Sequence, residues 1–188
     1  MSNSSPSGDI SEAEYQQHTM RWVKDFVVEY NICPFAKREL ERGSIRYQVA
    51  TSVDIEELLQ QLVVECQLLD NQPDVETTLF ITPSLSSFED YLDCLYWAEK
   101  IISKQGYDGV YQLASFHPDY CFAGEAETAP SNYTNRSPYP MFHLIREATV
   151  SRLTRLHPDP EGIPERNIQL SEELGIASLK QILASCKL

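Results

Sequence analysis

From Ser11 the apolar residues recur as Tyr15, Trp22, Val23, Phe26, Val27 and Tyr30. Spacings of three and four predict a helix from Ser11 to about Tyr30, opened by a capping box of Ser11 and Glu14. Pro34 suits the first turn of a second, shorter helix, where its missing N–H costs nothing, and Gly43 ends it. The segment "SIRYQVAT" alternates and is rich in β-branched and aromatic residues, so a strand is expected over 45–51. Asp54 and Glu57 open a helix that sets Ile55, Leu58, Leu59, Leu62, Cys66 and Leu69 on one face, closed by Pro73. "TTLFIT" reads as a buried strand, 77–82. Ser87 and Asp90 open a helix with Phe88, Tyr91, Leu92, Leu95, Ala98 and Ile102 inward, stopped by Gly106, and "GVYQLASF" gives a third strand, 109–116.

Strands alternating with helices predict an α/β fold: a small, mainly parallel sheet of three to four strands, with helices packed on both faces. Regularity lapses over residues 117–138, "HPDYCFAGEAETAPSNYTNRSP". A loop of that length inside a compact domain is commonly functional, and this one begins where the third strand ends, the usual ligand side of a parallel sheet. A helix is then expected from Tyr139 to Leu156, with Met141, Leu144, Ile145 and Ala148 inward. The tail from Ile163 adds two short C-terminal helices broken at Gly175. Residues 1–10 read as a disordered leader and 11–188 as a single α/β domain.

Composition narrows the class. The chain has 188 residues, 42% of them apolar, enough for a sizeable core. Its apolar runs are too short to span a bilayer. The leader lacks the basic and apolar regions of a secretory signal. Five cysteines at 33, 66, 94, 121 and 186, an odd number with no CxxC pair, read as reduced thiols in a cytoplasmic protein. The motifs "NYT" and "NRS" are then loop chemistry rather than glycosylation sites. A formal charge of -13 argues against nucleic acid and anionic membranes as partners. Nothing in the sequence fixes an oligomeric state.

The charge is uneven. Residues 52–76 carry acids and no Lys or Arg, whereas 132–157 carry Arg136, Arg146, Arg152 and Arg155 against the single acid Glu147. A locally cationic stretch in an anionic chain suggests a pocket for a small anion. Cys33, in "NICPFAKREL", falls at or beside the start of a helix, with Lys37 and Arg38 one turn on. A helix dipole and two cations would favour the thiolate, a nucleophile or a metal ligand. His117, in "FHPDYCF", stands at a strand end with Asp119 placed to orient it. In "NRSPYPMFHLIRE", Arg136 precedes the expected helix, and His143, Arg146 and Glu147 share one of its faces, an arrangement suited to holding an anion. A zinc site would need Cys33, Cys121, His117 and His143 to converge, and no ligand spacing supports one. With no Gly-rich phosphate loop, no GxSxG and no HExxH, no cofactor is expected.

The stretches "NICPFAKRE", "FHPDYCFAG" and "NRSPYPMFHLIRE" resemble a bacterial family known as domain of unknown function 1415, over about Glu12 to Gly175. The resemblance implies a single soluble bacterial domain and carries no activity. It marks Asn31, Cys33, Pro34, His117, Pro118, Asn135, Arg136, Ser137, Pro138, His143, Arg146 and Glu147 as a signature.

These readings combine into one expectation. Cys33 with its two cations forms one wall of a pocket; the 117–138 loop and the helix at 139 form the other. The leading function is an enzyme acting on a small anionic metabolite by acyl or group transfer, or by hydrolysis. Cys33 is the nucleophile and His117 or His143 the base, with Lys37, Arg38, Asn135, Arg136 and Arg146 binding the substrate. The alternatives are a non-catalytic anion- or partner-binding protein and a Cys/His metal-binding protein.

Overall fold

Polar caps fix where three of the helices start. A computed structural model of the protein describes residues 10–188. The expected leader, up to residue 9, lies outside the described residues. The elements in chain order are α1 (Glu12–Trp22), a π-helical segment (Val23–Val28), α2 (Ala36–Arg42), β1 (Ile45–Val49), α3 (Ile55–Asn71), β2 (Thr77–Ile81), α4 (Phe88–Lys104), β3 (Tyr111–Phe116), a 3-10 turn (Pro130–Thr134), β4 (Met141–Arg146), α5 (Glu147–Leu156) and α6 (Gly162–Ser185). At α1 the capping box closes both ways: the Ser11 hydroxyl accepts from the Glu14 amide, and the Glu14 carboxylate accepts from the Ser11 N–H at 2.8 Å. Asp54 accepts from the Glu57 amide at 3.0 Å to open α3, and Ser87 accepts from the Asp90 amide at 3.3 Å to open α4. Each cap satisfies an amide that the helix itself leaves unpaired.

The sheet is four-stranded in the order β1-β2-β4-β3. β1 and β2 are parallel, while β4 runs antiparallel to both β2 and β3. The sheet is therefore mixed, not mainly parallel. The difference traces to residues 139–156, where a strand and a helix replace the single helix predicted. β4 is a central strand, buried on both sides. Met141 joins the apolar cluster on one face; Phe142 and Leu144 join the cluster on the other. An apolar run buried on both faces has no period-2 signal and is indistinguishable from a helix face by spacing alone.

The two faces are covered differently. α3 and α4 pack on one around Leu62, Cys66, Phe80, Tyr91 and Leu144. On the other, the π-helical segment and the end of α6 pack around Trp22, Phe26, Ile81, Met141 and Leu179. α6 bends at Gly175, whose φ of 71° and ψ of 158° lie where a side chain would be strained, so the chain breaks as its sequence implied. No helix among the described residues is long and apolar enough to cross a membrane.

Candidate functional site

Strand alternation turns His143 and Ile145 of β4 toward the same face as Met141. There the packing is tight near Ile81 and Met141 but opens toward Ile45, Thr77 and Ile145 into a cavity of about 650 Å³. Protein interiors hold few voids larger than a water molecule, and ligand pockets commonly measure about 300–1,000 Å³. The walls come from distant parts of the chain: Trp22 and Val27 of the π-helical region, Phe35, Phe116, Val150 and Leu153 of α5, and Ile163 of α6. π-helical segments are rare and recur at functional sites. Here one carries Val23 and Val27 over the cavity while burying Phe26 against the core.

His143 is the polar centre of this cavity. Its Nε2 lies 2.7 Å from Thr77 Oγ1. The Thr77 hydroxyl has one proton and gives it to the Leu144 carbonyl, so it accepts from His143. The ring is thus held as the Nε2–H tautomer, with no protein partner at Nδ1 among the described residues. Burial pushes its pKa down to about 4, so the imidazole is neutral near pH 7. The part of the ring left accessible faces the cavity, which is why a half-buried residue behaves as a desolvated one. A neutral imidazole with a fixed tautomer and a free lone pair can accept a hydrogen bond or a proton.

Other polar groups line the same space. The Glu39 carboxylate accepts from the Ser44 hydroxyl at 2.7 Å and faces Arg38 at 3.5 Å. Glu76, next to Thr77, has no hydrogen bond or ion pair on its side chain among the described residues, and its Oε1 is fully buried. Trp22 is 2% exposed, and its indole N–H also has no partner among the described residues. No Lys or Arg is among the cavity's lining residues.

Cys33 lies in the same wall, within a turn that α6 clasps. Asn31 adopts a left-handed conformation, φ 53°, which Asn tolerates better than most residues. Arg166 donates to the carbonyls of Tyr30 and Asn31 at 2.9 and 2.8 Å, and Asn167 donates to that of Ile32 at 2.7 Å. α2 begins at Ala36, three residues beyond Cys33. Burial raises the thiol pKa; the backbone N–H groups of Phe35 and Ala36 only partly offset it. The expected lowering by dipole and cations is overturned: Lys37 and Arg38 are exposed, and neither lines the cavity.

The remaining predicted residues do not join this site. His117 is 0% exposed and belongs to the opposite face, packed 5.1 Å from both Phe88 and Tyr91. Its Nδ1 accepts from the Asp119 amide at 3.0 Å and its Nε2 donates to the Leu85 carbonyl at 3.1 Å. Both nitrogens are used, and it is the Asp119 backbone, not its carboxylate, that orients the ring. Arg146 reaches the carbonyls of Leu69, Gln72 and Val75 and so satisfies the C-terminal end of α3. Arg136 donates to the carbonyls of Tyr120 and Glu127 and stacks 4.7 Å over Tyr133. It precedes a strand, so no helix N-terminus stands there to hold an anion. Asn135 reaches the cavity wall, but its amide donates to the Ser115 carbonyl at 3.0 Å.

Asn132 of "NYT" is buried, and its amide ties Phe122 to Ala126, which makes this motif loop chemistry. The loop does line the cavity, through Phe122 and Thr134 rather than through its cations. Cys121 bonds within the loop, and among the described residues no three His, Cys, Asp or Glu side chains gather as a metal site. Thr77, Glu76 and Trp22 were not anticipated as site residues. The Thr77–Thr78 pair opening an otherwise apolar strand was the available signal for Thr77.

Neither the curated proteins nor the solved structures contain a match to this sequence. The model of the family described as "Protein of unknown function (DUF1415)" matches residues 14–181, and the chain belongs to that family.

Proposed function

We propose that the protein binds a small, largely apolar molecule in the cavity beneath α5, with His143 Nδ1 accepting a hydrogen bond from it. The observation that carries this reading is the pairing of a large apolar cavity with one neutral, tautomer-fixed imidazole that keeps a lone pair free. α5 supports it. None of its residues is buried, yet Val150 and Leu153 line the cavity, so its apolar face has little packing of its own and gains contact from an occupant. The carboxylate-bearing, cation-free lining moves the reading away from the small anion that the sequence suggested. The free thiols support the cytoplasmic setting expected from sequence.

The test is titration with N-phenyl-1-naphthylamine, a neutral apolar dye whose emission rises and shifts blue in apolar surroundings. Saturable one-to-one binding is expected, and Ile145→Trp and Val150→Trp, which fill the cavity from its two sides, each abolish it. Absence of binding by the wild-type chain, or undiminished binding by both folded variants, refutes the proposal.

A second reading, a cysteine-dependent hydrolase or transferase, is favoured by one observation: Cys33 and His143 line the same cavity. On that reading an occupant brings the thiol under the influence of the imidazole, which takes its proton. Cys33→Ser then removes turnover and leaves dye binding intact.

A further inference from the structure

The lining of the cavity also constrains the charge of what enters it, given the binding reading above. Most of its polar groups are already committed. Thr77 is bonded on both sides, Glu39 is held by Ser44, and the Asn135 and Asn167 amides each donate to a backbone carbonyl. Among the described residues, His143 Nδ1, the Glu76 carboxylate and the exposed Glu125 carboxylate remain as acceptors without a protein donor. Glu76 and His143 both line the cavity, and Glu76 directly precedes the threonine that holds His143.

A partly buried carboxylate with no hydrogen bond and no counter-ion is costly unless a cation or donor meets it. A carboxylate oxygen and an imidazole lone pair both call for N–H or O–H donors, and the negative charge calls for a cation.

From this juxtaposition we infer that the cavity selects an apolar molecule bearing a protonated amine, with Glu76 pairing with the ammonium and His143 Nδ1 accepting one of its N–H bonds. An amine is favoured over an alcohol of the same skeleton by the ion pair. A carboxylic acid is disfavoured, because its charge repels Glu76 and finds no Lys or Arg in the lining.

The test uses the full chain and three molecules of one skeleton: 4-phenylbutylamine, 4-phenylbutan-1-ol and 4-phenylbutanoate. Each is titrated calorimetrically and as a displacer of N-phenyl-1-naphthylamine at pH 7.5 and low salt. The amine is expected to bind at least about tenfold more tightly than the alcohol, with the acid weakest. Glu76→Gln is expected to bring amine and alcohol within about threefold of each other. Because a neutral amide is close in size to the carboxylate, a folding defect is checked by circular dichroism, and raised salt gives a second readout that weakens the amine alone. Acid binding equal to or tighter than amine binding overturns the inference, as does a gap between amine and alcohol that survives both Glu76→Gln and salt. If the dye binds but this ranking is absent, the amine inference fails alone. If neither the dye nor any of the three binds, the cavity reading fails with it.

Discussion

The two faces of the sheet use the same residue type to opposite ends. On the face covered by α3 and α4, His117 has a partner at each ring nitrogen and lies among Leu85, Phe88 and Tyr91. On the face covered by the π-helical segment, α5 and α6, His143 has a partner among the described residues at one nitrogen only and lines a cavity. Both are neutral Nε2–H tautomers, and burial lowers both pKa values. What separates a structural histidine from a chemical one is therefore not its ionisation. It is whether the packing around it has used up its lone pair.

The largest expected consequence is an asymmetry in stability. His117→Ala leaves the Leu85 carbonyl and Asp119 amide without their partner and opens a void between two aromatic rings, a loss of about 4 kcal/mol. His143→Ala breaks one bond at a cavity wall and costs less than about 1 kcal/mol. Urea unfolding of the two variants measures the difference. Equal losses would dissolve the distinction between the faces.

Acid comes next. The ordinary value for histidine is 6.5, and His143 in the folded chain titrates at about 4. Between these values the unfolded chain takes up a proton that the folded chain does not, so stability falls as pH falls through this window and is flat for this group above it. The full contribution is about 3 kcal/mol. His117, also lowered, adds to the same slope. Unfolding free energies measured across the window should show the fall, and His143→Gln should remove much of it. An unchanged slope in that variant would mean that His143 is not desolvated.

Arg146→Ala should have a smaller effect, about 2 kcal/mol, because the Leu69 and Gln72 carbonyls at the end of α3 and that of Val75 before β2 lose a shared charged donor while remaining near solvent. Thermal unfolding reads it. Dye binding by the folded fraction should persist, since Arg146 stands outside the cavity lining; loss of binding without loss of stability would return Arg146 to the site.

Much of the frame was legible because helix caps and amphipathic faces are local. Ser11 with Glu14, Asp54 with Glu57 and Ser87 with Asp90 act within three residues of one another, as does the bend at Gly175. β4 was not legible, because a strand buried on both faces lacks alternation, and its reversal of direction followed from that miss. The site was legible only in part. Cys33, Asn135 and His143 do line one cavity, but Arg136 and Arg146 looked like an anion clamp because a sequence does not reveal which cations backbone carbonyls will absorb. Thr77 lies 66 residues from His143, and Glu76 was one acid among many in a negative stretch. The π-helical turn that helps roof the cavity has no sequence signature.

The most direct test is nitrogen NMR of the imidazoles at pH 7, before and after addition of N-phenyl-1-naphthylamine. Both His117 and His143 are predicted to appear as neutral Nε2–H tautomers. Only the Nδ1 resonance of His143 should move on addition, toward that of a hydrogen-bonded acceptor, while both nitrogens of His117 stay fixed. A charged or Nδ1–H His143, or a His143 resonance that the dye leaves in place, would contradict the account.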